Sequence, residues 1–194
     1  MTNASYNALV KSLLARVVMY GKPNVLGSSR APASTYFITD KHREAMLAQA
    51  IQDFVPFKAR PVRDDGSVSI PFAAITVTPN WSEKDVARAV LHELCYPTDR
   101  RTRLSDLVAL LKQAIVRSGV RVLHLASAHN LVSGDPRRQS QLTWLLKELR
   151  ADDNTPLRMI FSGQPSLKQL LVDDPQLPRR SNVVDLTTNI VRLA

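Results

Sequence analysis

The sequence predicts one three-layer α/β domain built on a mainly parallel sheet. Strand-length apolar runs alternate with helical segments of about 12 residues, the rhythm of parallel strands joined by crossover helices packed on both faces. The chain has 194 residues, 44% hydrophobic and 22% charged, which suits one ordinary domain with a full core. No internal repeat or low-complexity tract interrupts the pattern.

Taken in order, Tyr6 to Tyr20 places Leu9, Leu13, Leu14, Val17 and Val18 on one helix face, and Gly21-Lys22-Pro23 ends it. The stretch to Ser34 is rich in Pro, Gly and Ser and reads as an exposed connection. Residues 1–34 are therefore expected to form an N-terminal helix and connection, and residues 35–194 the α/β domain. Tyr36 to Thr39 is a short β-type run, and Arg43 to Phe54 returns to helical period through Met46, Leu47, Ala50, Ile51 and Phe54. A turn-rich segment, Arg60 to Gly66, leads into a buried strand from Pro71 to Thr78.

Ser82-Glu-Lys-Asp85 has a capping-box layout and opens a helix that presents Val86, Val90, Leu91 and Leu94. Leu104 to Ser118 forms the next helix, stopped by Gly119, and Val120 to Leu125 a strand. Gln139 to Arg150 sets Leu142, Leu145, Leu146 and Leu149 at helical spacing, with Trp144 expected to pack into the core. Arg158 to Phe161 is a strand, Leu167 to Val172 a short helix, and Val183 to Leu186 a final strand.

Net charge is +9, the pI is near 10.1, and 18 of the 26 basic residues are Arg. Arginine forks match phosphate oxygens bidentately, so the bias suits contact with nucleic acid or with an acidic protein. No apolar run approaches the ~20 residues of a membrane span. The N-terminus lacks a signal-peptide layout, so a cytoplasmic location is expected. Cys95 is the single cysteine, which excludes an internal disulfide and a thiolate zinc cluster. His124 and His129 have no third ligand beside them, and no metal is expected.

Three segments carry a family resemblance. Val122-Leu-His-Leu-Ala-Ser-Ala-His-Asn-Leu131 is similar to a Walker B strand running into Asp-Glu-x-His-Asn-Leu. Gln141 to Leu149, followed by Thr155 to Ser166, looks like a helix and then a strand ending in Gly-Gln-Pro. Asp173-Asp-Pro-Gln-Leu-Pro-Arg-Arg180 is similar to Asp-x-Gln-Leu-x-x-Arg-Phe. Together, over roughly residues 70–190, they resemble the transposition and secretion ATPases of the AAA+ class known as TniB, TnsC and ExeA. The resemblance implies an AAA+-like P-loop NTPase core, DNA transposition, and a partner ATPase or transposase.

Against that pattern the chemistry is missing. A phosphate loop needs Gly-x4-Gly-Lys-Ser/Thr so that backbone amides can close on phosphates and a Lys can reach them. Laid after Tyr36-Phe-Ile38, the pattern puts Thr39 and Glu44 at the glycines, Ala45 at the lysine and Met46 at the hydroxyl. Ala126 and Ser127 fall where the family keeps Asp-Glu, which supports Mg²⁺ and positions the attacking water. The chain also ends about ten residues past Val183, where the resemblance would place a helical lid. The expectation is a pseudo-ATPase with no cofactor, not an enzyme.

What remains is basic. Arg180 matches the family's Arg-Phe, and the resemblance makes it an arginine-finger-like residue that could face a partner's nucleotide. Ser181 replaces the aromatic. Arg100, Arg101 and Arg103, with Arg137 and Arg138, lie at loop-to-helix junctions and are the nucleic-acid-binding candidates. The expected partners are DNA, an AAA+ ATPase or a transposase, and further copies of the chain by self-association, with no membrane. The alternative is a protein-interaction adaptor that regulates an active AAA+ partner without touching DNA.

Overall fold

The computed structural model describes residues 3–19, 34–58, 60–62, 64, 66, 68–132, 135–150, 157–172 and 181–187. Within them the chain runs α1 (Asn3–Met19), β1 (Ser34–Ile38), α2 (Glu44–Gln52), α3 (Val55–Lys58), β2 (Phe72–Thr76), α4 (Glu83–Glu93) and α5 (Leu104–Ser118). It continues with β3 (Val122–Ala126), a 3-10 turn (Ala128–Leu131), α6 (Pro136–Arg150), β4 (Arg158–Gly163), a second 3-10 turn (Pro165–Lys168), α7 (Gln169–Val172) and β5 (Ser181–Asp185).

The five strands form one sheet in the order β2-β3-β4-β1-β5, and every neighbouring pair is parallel. All five residues of β1 and of β3 are buried, as a sheet covered on both faces requires. Successive side chains point to opposite faces, and two cores result. Tyr36, Leu123, Leu125 and Phe161 pack with Val90 and Leu91 of α4, Leu107 and Leu111 of α5, and Leu142, Leu145 and Leu149 of α6. Tyr36 and Phe161 stack with ring centroids 4.6 Å apart. On the other face Phe37, Ile160 and Val184 pack with Tyr6, Val10 and Leu14 of α1 and with Leu47 and Ile51 of α2. Helix α1 thus shares a core with the sheet.

Local chemistry sets the element ends. The Ser82 hydroxyl accepts from the Asp85 amide at 3.3 Å, and the Asp85 carboxylate accepts from the Ser82 amide at 2.8 Å, completing the capping box that opens α4. Gly119, with φ +70°, closes α5 in the left-handed conformation glycine adopts without penalty.

Several boundaries differ from the sequence reading. Strand β3 spans 122–126 and not 120–125, because Arg121 and Val122 amides are both taken by the Pro71 carbonyl at the sheet's lower edge. Helix α6 begins at Pro136, three residues early, where the Asp135 carboxylate accepts from the Arg137 amide at 2.9 Å. The expected helix through Phe54 stops at Gln52, and the segment 167–172 divides into a 3-10 turn and α7. Trp144 is 44% exposed and not in the core: its neighbours Leu142, Leu145 and Leu146 occupy the inward arc and turn it away. Residues 20–33, including Gly21 and Lys22, lie outside the described residues.

Candidate functional site

Open parallel sheets place ligands in the crevice beyond the carboxyl ends of their strands. Here β1, β3 and β4 end together: Ile38 pairs with Gly163, Leu125 with Phe161, and the Thr39 amide donates to the Gly163 carbonyl at 2.9 Å. Three loops meet at this rim, residues 39–43 after β1, 127–131 after β3 and 164–168 after β4.

A carboxylate occupies the meeting point. Glu44, the first residue of α2, lies 3.3 Å through Oε1 from His129 Nδ1 and accepts from Gln164 Nε2 through Oε2 at 3.0 Å. Its side chain is 14% exposed and that of His129 16%. The Gln164 amide points at His129 Nδ1 from 3.4 Å. Gln164 thus reaches both partners, donating through its backbone to His129 and through its side chain to Glu44, and ties the starts of the three segments to one another.

The loop after β1 is closed on itself. Asp40 Oδ1 accepts from the Arg43 amide at 3.0 Å, its Oδ2 stands 3.6 Å from Arg43 Nε, and the Arg43 guanidinium lies 5.8 Å above the Tyr6 ring. Thr39 is fully buried, its hydroxyl 3.3 Å from the Tyr6 hydroxyl. Ala45 is exposed and Met46 packs against the α1–α2 core. Glu44 and Asp40 place two carboxylates at the start of α2, Asp40 beside the Arg43 guanidinium. At an effective dielectric near 20, a unit charge 4 Å from a carboxylate is repelled by about 4 kcal/mol, more than the roughly 1 kcal/mol a helix N-terminus supplies.

Ala126 is buried and Ser127 half-buried at the end of β3. Ser127 has φ +52° and ψ +34°, a left-handed conformation uncommon for a residue with a side chain. Beneath them His124 is fully buried and its Nε2 lies 2.8 Å from the Ser162 hydroxyl. Burial holds its imidazole well below the ordinary range, at about 3, so the ring is neutral at any physiological pH.

The two arginine groups converge on α4. Arg88 Nη2 donates to the Arg100 carbonyl at 2.6 Å and its Nη1 stands 4.0 Å from Asp85. Burial pushes the Asp85 carboxyl up, but hydrogen bonds from Ser82 and the positive charges of Arg88 and Arg138 outweigh it and leave it below the ordinary range. Arg88 thereby links the 99–103 loop to Asp85 in the first turn of its own helix, α4, where the Arg138 charge is also felt. Arg100, Arg101, Arg103 and Arg137 are exposed and Arg138 half-buried. Arg180 lies outside the described residues.

A family model for the bacterial TniB protein matches residues 46–189, about three-quarters of the chain. The chain belongs to the TniB family. No curated protein matches it. Among solved structures it is similar to the Aeropyrum pernix ORC2 protein in its ADP form, with TM-score 0.57 and 11% identity over 93% of this chain and 46% of that one. The same protein in its ADPNP–ADP complexes gives TM-score 0.59 and 13% identity over 94% and 46%. Cdc6p from Pyrobaculum aerophilum gives 0.57 and 14% over 91% and 44%. At such identities these likenesses establish the AAA+ core fold, and this chain spans less than half the length of those proteins.

In this TniB-family chain Thr39, Glu44, Ala126 and Ser127 lie at the rim where the strands end, while near α4 the contacts place the Arg100 carbonyl on Arg88 and the Arg138 charge close to Asp85. Sequence reasoning missed the Glu44–His129–Gln164 contact and the linking role of Arg88. The signal for the first was available in part, since His129 and Gln164 both fall in family-like segments. Among the described residues no three His, Cys, Asp or Glu side chains group as metal ligands, and no helix is long and apolar enough to cross a membrane.

The tightness of this rim is testable. A Cβ built on Gly163 would lie 2.9 Å from His129 Nδ1 and 3.0 Å from the His129 backbone nitrogen. Backbone cannot step aside as a flexible side chain can, so Gly163→Ala should destabilise by about 1–3 kcal/mol. In a melting experiment that lowers Tm by roughly 2–12 °C, at about 2–4 °C per kcal/mol for a chain of this size, and an unchanged Tm would show that the 127–131 loop yields freely.

Proposed function

We propose that this TniB-family chain is a nucleotide-independent accessory protein of DNA transposition, acting through its basic surface on DNA and through its partner contacts on an ATPase or transposase. The observation that supports this reading is Glu44, a carboxylate that begins α2, accepts from Gln164 and lies 3.3 Å from His129, at the position the phosphate-loop pattern gives to glycine. Ala45 and Met46 supply neither the cation nor the hydroxyl of a phosphate loop, and Ala126 and Ser127 supply no carboxylate for Mg²⁺. Arg180 is retained in this proposal as a finger offered to a partner's nucleotide.

Titrating the protein with a fluorescent ATP analogue and Mg²⁺ should give no saturable binding up to millimolar concentration, and no phosphate release above buffer. Glu44→Gly alone should leave both unchanged, because the lysine position remains alanine. ATP turnover that disappears on substituting a residue between Thr39 and Met46 would overturn the proposal.

A further inference from the structure

Arg88 reaches the exposed arginine loop, but its guanidinium is engaged within the chain. The side chain is 24% exposed. Nη2 donates to the Arg100 carbonyl at 2.6 Å, Nη1 stands 4.0 Å from Asp85, and Nε is buried with no acceptor. Asp85 is itself fixed, accepting from the amide and the hydroxyl of Ser82. The loop shapes its own turn: Asp99 accepts the Arg101 amide through Oδ1 at 2.8 Å and the Thr102 amide through its carbonyl at 3.2 Å. Among the described residues, only the bond from Arg88 joins residues 99–102 by hydrogen bonding to a separate element.

Stability gives little reason for this arrangement. A partly exposed charge pair three residues apart on a helix contributes little, and a buried Nε without an acceptor is destabilising. Local charge argues against it as well, because Arg100, Arg101 and Arg103 already crowd four positions and a fourth cation adds to their repulsion. We infer that Arg88 is a positioning residue for DNA binding: it fixes the backbone of the arginine turn, so that the three side chains project from one defined place, and itself touches no phosphate. The inference rests on the proposed DNA contact at this loop and names what orders it. A turn left free must give up that freedom on binding, and holding it beforehand removes the penalty. The expected size is about tenfold in affinity, comparable to ordering the backbone of roughly one residue.

The test measures binding of the full chain to a short fluorescein-labelled DNA duplex over a series of potassium chloride concentrations, with melting temperatures to confirm that each variant is folded. Arg88→Met keeps the apolar stem and removes the guanidinium. It should weaken binding about tenfold, while the slope of log affinity against log salt stays that of the parent, because the same phosphates are met. Arg88→Lys, which keeps a donor for the Arg100 carbonyl and a charge beside Asp85, should restore most of the loss. With Arg100, Arg101 and Arg103 all changed to alanine, Arg88→Met should have no further effect, since it acts through them. A slope lowered by about 0.9 in Arg88→Met would make Arg88 a phosphate ligand and overturn the inference. Parent-like binding by Arg88→Met, an Arg88→Lys no better than it, or a further loss in the alanine background would do the same. If the parent binds no DNA, or the triple alanine variant binds as well as the parent, the DNA contact at this loop is itself wrong and the inference falls with it.

Discussion

Replacing Arg100, Arg101 and Arg103 together by alanine is expected to weaken duplex-DNA binding on the order of 10²-fold at low salt. The three side chains are exposed on the 99–103 loop, whose backbone Arg88 holds through the Arg100 carbonyl. Each phosphate neutralised releases about 0.9 counterion from B-DNA. The slope of log affinity against log salt should therefore fall by roughly 2–3 in the triple variant. Changing Arg137 and Arg138 should act in the same direction with a smaller slope change, near 2. Loss should be uniform across DNA sequences, since phosphate contacts carry no base information. A chain that binds DNA equally well after both sets of substitutions contacts it through another surface, whereas absent or salt-insensitive DNA binding with partner binding retained would favour the adaptor reading.

The second large effect is on stability in mild acid. His124 is neutral in the folded chain because burial lowers its pKa from 6.5 to about 3, while the unfolded chain protonates normally. The unfolded state then binds the extra proton throughout the window between those values. Stability is full above about pH 6.5 and falls as pH drops, by about 1.4 kcal/mol per unit. Between pH 7 and pH 5 that amounts to about 2 kcal/mol, before the carboxylates begin to titrate. Urea unfolding at a series of pH values should show it. His124→Phe combined with Ser162→Ala, which strands no hydroxyl, should remove about one proton from the dependence. An unaltered slope in the double variant would place the acid sensitivity elsewhere.

Much of the fold was legible because periodicity reports directly on which faces are covered. The leucines of α6 and the Val86–Val90–Leu91 set of α4 face the core in which their spacing placed them. The capping box at Ser82 was readable for the same local reason. Trp144 misled because hydrophobicity was allowed to outweigh position: residue 144 lies two steps, near 200°, around the helix from Leu142, which is the outward side. The start of α6 was missed because Asp135-Pro136 reads as a loop until one sees the carboxylate receiving the Arg137 amide. The rim contact was legible only in that His129 and Gln164 stand in family-like segments. Glu44 begins α2, while His129 and Gln164 follow β3 and β4, the three being spread over 120 positions of chain, and only the strand order brings them together. Substitutions at Glu44 and Ala45 were visible as absences, but not that Glu44 had acquired partners.

The tie between Glu44, His129 and Gln164 has a consequence for timing. In a nucleotide-driven machine the loops after the central strands read whether a γ-phosphate is present, and hydrolysis acts as a clock that ends each engagement. On the proposed nucleotide-independent function, a rim tied by its own side chains would keep no such clock. The residence of this chain on DNA or on a partner would then be set by ionic strength and by competitors for the same surfaces. Its contribution to an assembly would be that of a fixed marker, whose departure must be imposed from outside.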